Sequence, residues 1–345
     1  MKPTHKPNRL TAWLLFICIL TSALSLAGCS KTLSDPVRAA GYKLNTYVCI
    51  DAYADGGYSS SKLSEILNEA LSVCDTYEKM FSRTDTDSTL YNLNHGLIDT
   101  VPKELGELIS LGIEYSELSG GAFDITIGSV SSLWDFTSDS PSVPDAQAIA
   151  EALEYVDYTA VQISPNSDGT YTVSMPENTV IDLGAIAKGY IADKIRDFLL
   201  EKGINRAIIN LGGNVLCVGA KTSSTPFSVG IRRPFSEDSS PLVTLSIDNK
   251  SAVSSGNYER YFYQDDTLYH HILNPHTGYP YDNGITDVTI ISDLSVTGDC
   301  LSTVCFALGL EEGMQLIENT SGVEAMFVES DGTIHYSSGF EAFLK

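Results

Sequence analysis

Positive charge is scarce in this chain. Its 345 residues contain 21 lysines and arginines against 44 aspartates and glutamates, so the formal net charge is −23 at pH 7. A chain of this charge does not bind nucleic acid by general electrostatic attraction. We therefore expect no nucleic-acid partner. If the protein handles phosphates, a metal ion or a few placed donors must offset their charge.

Two common motifs are also missing. No Gly-x-Gly-x-x-Gly follows a predicted strand, which argues against a Rossmann dinucleotide site. No Cys-x-x-Cys spacing occurs among the seven cysteines, which argues against a zinc site or a disulfide framework. Beyond the N-terminal segment we expect the cysteines to be small buried side chains; they are Cys49, Cys74, Cys217, Cys300 and Cys305.

The N-terminus has an apolar run at residues 12–24, after a basic stretch with Lys2, Lys6 and Arg9. The run is shorter than the ~20 apolar residues of a membrane-spanning helix, and it suits the core of a signal peptide. Residues 26–29 read LAGC, which resembles the bacterial lipobox, where cleavage exposes a lipid-modified cysteine. A plain anchor helix with a chance cysteine is the alternative.

The sequence thus predicts a lipoprotein signal peptide at residues 1–28 and a tether at 29–41, carrying palmitate or a similar lipid on Cys29. The expected location is the extracytoplasmic face of a bacterial membrane.

Hydrophobic periodicity predicts helices at 61–80, 102–118, 143–156, 185–202, 298–308 and 311–318. Alternation predicts strands at 42–53, 160–163, 170–175, 206–209, 215–219, 227–231, 242–247, 252–255, 267–272 and 286–291, with a final hairpin of 323–328 and 333–336. Helices and strands come in blocks joined by hairpin turns. This pattern favours an α+β fold with mixed, largely antiparallel sheets and packed helices.

Two glycine-containing segments are candidates for binding an anion or a nucleotide. Residues 120–128 read GGAFDITIG, where paired glycines allow close approach of a ligand to the backbone; a helix C-cap is the alternative, and both can hold. Residues 181–190 read IDLGAIAKGY, with Asp182 before a predicted helix start near Ala185 and Lys188 one turn in. A helix N-terminus attracts anions, although Asp182 as a plain N-cap and Lys188 as a solvated lysine remain open.

Two further segments carry groups that suit proton transfer and metal binding. Residues 270–280 read HHILNPHTGYP, and adjacent histidines on a strand point to opposite faces, so only one faces a given site. Asp299, Ser302 and Thr303 share a helix face and form a hard oxygen set that suits Mg²⁺. An N-cap aspartate with Ser302 and Thr303 bonded back to the helix is the alternative.

The chain resembles the ApbE family, the FAD:protein FMN transferases, which are flavin-trafficking lipoproteins. The likeness runs from about Tyr42 to the C-terminus and implies an ApbE-like (T-fold-like) domain at 42–345. It rests on six motifs in order: GGAFDIT, DLGAIAKGY, NLGGN (210–214), SGNYER (255–260), HILNPHTGYP (271–280) and GDCLSTVCFALG (298–309).

The resemblance implies a reaction in which FAD is the substrate and is cut at its pyrophosphate. FMN passes to a threonine or serine hydroxyl of an acceptor protein, typically a flavoprotein subunit of a membrane redox complex, and AMP leaves. A Mg²⁺-dependent FAD pyrophosphatase and a non-catalytic FAD-binding lipoprotein are the alternatives.

The resemblance also implies residue roles. Mg²⁺ would be held by the carbonyl of Ala185 and by Asp299 and Thr303, with Ser302 adjacent, and His271 would be the base for the acceptor hydroxyl. The residues expected to contact FAD are Leu44, Ala122, Phe123, Asp124, Asp182, Lys188, His271 and Ile272. This chain departs from the family pattern at Leu44-Asn45-Thr46, where Met-Gly-Thr is frequent, and at Thr84, where tyrosine is frequent.

Overall fold

The computed structural model describes residues 35–54 and 57–345. The predicted signal peptide, Cys29 and the tether as far as residue 34 lie outside the described residues. The α+β prediction is confirmed, because helices pack on sheets whose ladders are antiparallel. Across the described ranges the helices are α1 (Ser60–Phe81), α2 (Thr89–Asn94), α3 (Lys103–Leu118), α4 (Gly128–Ser131), α5 (Ala146–Leu153), α6 (Ala187–Glu201) and α7 (Ser295–Glu318).

A large antiparallel sheet forms the centre of the described part. Its strand order is β1-β2-β6-β7-β10-β13-β14-β15. Small sheets of order β3-β5-β4, β8-β9 and β11-β12 lie around it. The strands are β1 (Val37–Lys43), β2 (Thr46–Ala52), β3 (Thr100–Val101), β4 (Gln162–Pro165), β5 (Tyr171–Ser174), β6 (Ala207–Leu211), β7 (Asn214–Val218), β8 (Phe227–Ile231), β9 (Val243–Ile247), β10 (Ser251–Gly256), β11 (Tyr261–Gln264), β12 (Thr267–His270), β13 (Ile285–Ser292), β14 (Glu324–Glu329) and β15 (Ile334–Tyr336).

The central sheet is covered on both faces. Helices α1, α6 and α7 pack on one face, and the β8-β9 sheet packs on the other. Strand β6 shows the alternation, because Ile209 belongs to the helix-side core whereas Ile208 contacts the core under β8-β9. Strand β13 is buried at every position, as expected for a strand in the interior of a sheet with both faces covered.

The N-terminal part of the domain differs from the prediction. The single strand expected at 42–53 is a hairpin, in which β1 pairs with β2. Residues 37–41, which the prediction assigned to the tether, lie in β1. The hydrophobic alternation that would predict β1 is weak, since Ala39 is the one buried residue of this strand. Leu44 and Asn45 form the turn with φ of 53° and 56°, and asparagine tolerates this left-handed conformation.

Helix α7 confirms the predicted interruption between 298–308 and 311–318. Its backbone leaves helical geometry at Gly309, with φ 78° and ψ −174°. Asn283 Nδ2 donates to the carbonyl of Phe306 at 2.7 Å and so satisfies one of the groups freed by the break. Within the described ranges α7 alone is long and apolar enough to span a membrane, but more than half of its apolar window is buried, as in a core helix.

The predicted state of the cysteines is confirmed for the described residues. All five are free thiols; Cys74, Cys217, Cys300 and Cys305 are buried, and Cys49 is half-buried. Four short elements were missed by the periodicity, namely α2, β3, α4 and β11. Each has six residues or fewer, which is too short for a periodic pattern to be distinguished.

Candidate functional site

Asp299 lies where helices α6 and α7 cross. The backbone N–H of Gly189 in α6 donates to Asp299 Oδ2 at 2.7 Å. A Cβ atom at position 189 would lie 2.6 Å from Val296 Cα and 2.8 Å from Asp299 Cβ. Glycine at this position therefore allows the helices to approach closely enough for a backbone amide to hold the carboxylate.

The charge of Asp299 is partly balanced by Lys188. The carboxylate is 4% exposed, and its Oδ1 atom lies 4.0 Å from Lys188 Nζ. Burial raises the pKa of Asp299, while Lys188 and the Gly189 N–H act in the opposite direction. The Asn214 side chain also acts on this carboxylate and lowers its pKa.

Three hydroxyl groups cluster at the turn of α7 that follows Asp299. Ser255 Oγ lies 2.8 Å from Ser302 Oγ and 3.1 Å from Thr303 Oγ1. Ser302 and Thr303 also donate to the carbonyl of Asp299, at 3.0 and 3.4 Å, so the predicted back-bonding is present. The N-cap reading of Asp299 is wrong, because α7 begins one turn earlier, at Ser295. Ser255 was missed, since only its motif was recognised and not its contact with α7.

This oxygen set fits a magnesium ion by its chemistry. A buried carboxylate and two neighbouring hydroxyls are hard ligands, which Mg²⁺ prefers, together with water and phosphate. The described residues include no group of three or more His, Cys, Asp or Glu side chains that could hold a metal. A magnesium site here would therefore consist of one carboxylate, hydroxyls, a carbonyl and substrate oxygens.

Asp182 and Ala185 lie in the turn that precedes α6, which starts at Ala187 and not at Ala185 as predicted. The N-cap reading of Asp182 is wrong, because Ile186 occupies that position without a side-chain bond. Asp182 Oδ1 instead accepts from the Gly184 N–H at 2.9 Å. Lys188 Nζ lies 3.5 Å from the Gly184 carbonyl, so the lysine joins this turn to Asp299.

Arg83 is a residue of this region that sequence reasoning did not single out. Its Nε donates to Asp182 Oδ2 at 2.9 Å, and its Nη1 donates to Ser132 Oγ at 2.8 Å. Ser131 Oγ donates to the same Asp182 oxygen at 3.0 Å. Arg83 precedes Thr84, the position at which the family often has tyrosine. The signal available in the sequence was a positively charged residue directly before Thr84, where the chain departs from the family pattern.

The GGAFDIT segment is a turn with two left-handed glycines, Gly120 and Gly121, with φ of 60° and 84°. Phe123 is buried. Asp124 Oδ1 accepts from the N–H and hydroxyl of Thr126 at 2.7 and 2.6 Å, and Oδ2 accepts from the Tyr158 N–H at 3.1 Å. Burial raises the Asp124 pKa. In this structure the Asp124 carboxylate therefore holds the segment's own shape.

The HILNPHTGYP segment lies directly against that turn. Tyr281 Oη donates to the Ala122 carbonyl at 2.7 Å. Trp134 Nε1 donates to the Gly278 carbonyl at 3.0 Å. The Cβ position of Gly121 would lie 3.6 Å from the His276 ring. Two motifs more than 140 residues apart in sequence are thus in direct contact and form one continuous surface.

The two adjacent histidines have different environments. Strand β12 ends at His270. The prediction had extended this strand to residue 272, so His271 lies just outside the observed strand. The His270 ring is buried, with Nε2 2.8 Å from the Tyr281 carbonyl and Nδ1 accepting from the Ile272 N–H at 3.3 Å. Ile272 is itself buried in the core under α7. His270 and Ile272 therefore support the structure at this position.

His271 is the histidine with an unused ring atom. Its backbone N–H donates to the Arg260 carbonyl at 3.2 Å, while Nδ1 is buried without a hydrogen-bond partner. Burial, followed by the charge of Arg260, lowers the His271 pKa to about 3. The ordinary pKa of histidine is near 6.5. The charge of Lys188 also lowers the His271 pKa, and Lys188 Nζ lies 4.0 Å from Asp299 Oδ1.

A buried carboxyl group supports the SGNYER segment. Tyr258 Oη donates to Asp287 Oδ1 at 2.7 Å, and Thr289 Oγ1 donates to Oδ2 at 2.9 Å. Burial raises the pKa of Asp287 to about 7. Ser254 Oγ lies 2.8 Å from Thr289 Oγ1, so strand β13 fixes the position from which Ser255 reaches Thr303.

Leu44 lies at the turn between β1 and β2. Thr46 follows it, and a Cβ atom added to Gly212 would collide with the Thr46 side chain. The NLGGN hairpin therefore packs on this turn. Asn214 at the end of that hairpin accepts from Ser295 Oγ at 2.6 Å through Oδ1, which connects the turn region to the start of α7.

Gly189→Ala is expected to disrupt the crossing of α6 and α7. The added methyl group has no space, so we expect a loss of about 1–3 kcal/mol in the free energy of unfolding. Urea denaturation measures it. Gly41→Ala is the control, because no atom lies within 4 Å of its Cβ position. Equal stability of the two variants would contradict the close approach.

Comparison with known proteins gives a consistent result. The model of the ApbE family matches residues 44–327. A protein of Treponema pallidum named FAD:protein FMN transferase is 33% identical over 299 residues, covering 82% of this chain and 83% of the relative. A protein of Klebsiella pneumoniae with the same name is 36% identical over 266 residues, covering 76% and 81%.

Solved structures agree with this. The ApbE protein of Thermotoga maritima superposes with a TM-score of 0.80 at 30% identity, covering 90% of this chain and 99% of that one. The flavin transferase ApbE of Vibrio cholerae superposes with a TM-score of 0.78 at 25% identity, covering 90% and 99%. With the family motifs assembled around Asp299 and His271, these matches show that the chain belongs to the ApbE family.

Proposed function

We propose that this protein is an FAD:protein FMN transferase, which moves FMN from FAD to a hydroxyl group of an acceptor protein and releases AMP. The observation that carries the proposal is the position of Lys188 Nζ 4.0 Å from the buried Asp299 carboxylate, with the charge of Lys188 also acting on His271. A cation, an anionic oxygen cluster and an unprotonated histidine at one place suit phosphoryl transfer, which depends mainly on positioning and charge neutralisation.

The side chains have separate tasks in this reaction. Lys188 offsets the negative charge of the FAD pyrophosphate. The acceptor hydroxyl oxygen attacks the phosphorus on the FMN side. Its proton goes to Nδ1 of His271, and the bond from that phosphorus to the oxygen shared with AMP breaks. The electron pair leaves with AMP.

His271 suits the role of base because of its protonation state. The lowered pKa keeps the ring neutral at physiological pH, so Nδ1 is ready to accept a proton. An anionic pyrophosphate bound near the ring stabilises the protonated form and raises the pKa during the reaction. The free protein therefore holds the histidine as an acceptor, and substrate binding strengthens it as a base.

The proposal includes a magnesium ion held by Asp299, Thr303 and the Ala185 carbonyl, with Ser302 adjacent. When bound, such an ion neutralises charge on the pyrophosphate and on the departing AMP. The fit rests on the buried Asp299 carboxylate and on the hydroxyls gathered by Ser255. Leu44 and Ala122 would line the flavin side, whereas Phe123 and Ile272 lie in the core.

We further propose that the mature protein is anchored through a lipid on Cys29 at the outer face of a bacterial membrane. Its acceptor would then be a flavoprotein subunit of a membrane redox complex. The basis is the LAGC sequence after an apolar run. Radiolabelled palmitate incorporation that disappears in Cys29→Ala would support the anchor, and incorporation retained in that variant would refute it.

One assay tests the transfer. The purified protein is incubated with FAD, Mg²⁺ and a flavoprotein subunit lacking its covalent FMN; the acceptor is weighed by mass spectrometry and free nucleotides are separated. We expect an FMN-sized mass increase and one AMP per modified acceptor. An acceptor variant with alanine at the target threonine is the control. Free FMN with AMP and an unmodified acceptor would indicate hydrolysis, and unchanged FAD would indicate storage.

A further inference from the structure

Three exposed aromatic side chains lie together near the candidate site. Phe235, Tyr261 and Tyr263 are 42%, 39% and 62% exposed, and we call them the aromatic patch. The ring centroids of Phe235 and Tyr261 are 5.2 Å apart, and those of Tyr261 and Tyr263 are 5.9 Å apart. Clustered exposed apolar groups are typical of interaction sites, whereas scattered ones are ordinary.

The patch is one face of the β11-β12 hairpin. On the opposite face Phe262 pairs with Tyr269, and both rings pack near Trp134 at centroid distances of 6.4 and 5.9 Å. Because side chains alternate along a strand, Tyr261 and Tyr263 point away from that core. The hairpin is thus anchored by one face, and its aromatic second face has no cover among the described residues.

Phe235 holds its place in the patch at an energetic cost. Its φ is 52°, the left-handed region that costs a non-glycine residue roughly 1–2 kcal/mol. The ring meets Tyr258 edge-on at 6.0 Å in addition to Tyr261. Backbone strain of this kind persists where the surrounding structure enforces it, and it concentrates at functional surfaces. The strained backbone here presents an aromatic ring to solvent.

The patch is continuous with the candidate site. Strand β11 begins directly after Arg260, and β12 ends directly before His271. The His271 N–H donates to the Arg260 carbonyl, which closes the base of the hairpin. Tyr261 pairs with His270 across the hairpin, so the patch begins beside the residue that precedes His271.

Two cations border the patch. Arg233 and Arg260 are exposed, and neither forms an ion pair with a described residue. Two exposed guanidinium groups beside an apolar surface, of which Arg233 also acts on Asp238, suit a partner that brings a carboxylate.

We propose that the aromatic patch is the docking surface for the acceptor protein. Its occupant is the acceptor segment that carries the target hydroxyl, with an apolar side chain against Tyr261 and Tyr263 and a carboxylate toward Arg233 and Arg260. The proposal rests on the proposed function, because a transferase needs a surface for its protein substrate beside the base. It assigns specificity to residues that contact neither FAD nor the metal ligands.

The test measures binding and transfer separately, with a flavoprotein subunit lacking covalent FMN as the probe. Tyr261→Ser/Tyr263→Ser is compared with Tyr42→Ser/Tyr47→Ser, a control pair of exposed tyrosines on the β1-β2 hairpin. We expect the patch variant to raise the Kd and the KM for the acceptor at least about tenfold, as loss of aromatic anchors does. The FAD affinity and kcat stay within about twofold.

Two further variants protect the test against a folding artefact. Phe235→Gly relieves the backbone strain, so we expect an unchanged or higher melting temperature together with weaker acceptor binding. Arg233→Gln should weaken binding and reduce its dependence on salt.

The outcomes separate the two proposals. The docking surface would be overturned by an unchanged acceptor Kd in both Tyr261→Ser/Tyr263→Ser and Phe235→Gly. An equal loss of acceptor affinity in the control pair, or no acceptor binding by the wild type, would overturn it as well. A wild type that binds the acceptor through the patch but forms no FMN adduct would instead overturn the proposed transfer.

Discussion

Asp299→Asn is expected to lower the rate of FMN transfer by about 10²–10³-fold or more, the loss typical when one charge-stabilising group is removed. The asparagine has the same shape, and its carbonyl oxygen still accepts from the Gly189 N–H, so the crossing of α6 and α7 is retained. What disappears is the negative charge that would hold a cation beside the pyrophosphate. Single-turnover transfer and calorimetric Mg²⁺ titration measure the two effects.

The matched control for this substitution is Asp293→Asn. Asp293 forms an ion pair with Lys250 near the surface and lies just before α7. The Asp293→Asn substitution removes the same charge from the same region without touching the hydroxyl cluster, so we expect transfer activity near that of the wild type. Full transfer activity in Asp299→Asn, or Mg²⁺ affinity equal to that of the wild type, would refute the assignment of Asp299 as a metal ligand.

His271→Gln is expected to lower kcat by about 10²–10⁴-fold while leaving FAD affinity within about twofold, the usual effect of losing a general base. Glutamine keeps a polar side chain but accepts a proton far more weakly than imidazole. Because the His271 pKa is about 3 in the free protein, its titration should not reduce wild-type kcat/KM for FAD between pH 8 and pH 5. Stopped-flow transfer over this range tests both expectations.

The same lowered pKa has a consequence for stability. An unfolded histidine takes up a proton near pH 6.5, whereas folded His271 does so only near pH 3. Between these values the unfolded state binds more protons, so falling pH favours unfolding. Urea titrations at pH 8 and pH 5 should therefore show a larger loss of stability for the wild type than for His271→Gln.

In the activity measurements on His271→Gln, a collapse of FAD binding with an unchanged rate per bound FAD would make His271 a binding residue.

The accuracy of the sequence predictions follows the physical range of each signal. Helix α1 was predicted to within a residue at each end, since its apolar stripe repeats over 22 residues and Ser59 caps it through the Lys62 N–H. The break at Gly309 was also predicted, because glycine interrupts an apolar helix visibly. The β1-β2 hairpin was merged into one strand, because its turn depends on left-handed Leu44 and Asn45, which no local pattern requires.

The candidate site shows the same division. Asp299, Ser302 and Thr303 were placed on one helix face by spacing alone, since three or four residues make one helical turn. Spacing could not show that Ser255 and Gly189, from a strand and another helix, complete the surroundings of that face. Nor could it separate His270 from His271, because the end of β12 depends on pairing with β11.

By itself the sequence determined the fold class, the order of the family motifs and the residue types that can carry phosphoryl chemistry, because these depend on local periodicity and composition. Tertiary structure alone decided which oxygens surround Asp299, that Asp182 pairs with Arg83, and that burial beside Arg260 keeps His271 neutral. Contacts and desolvation arise between segments far apart in the chain, and an aspartate or histidine has the same letter whether it is buried or exposed.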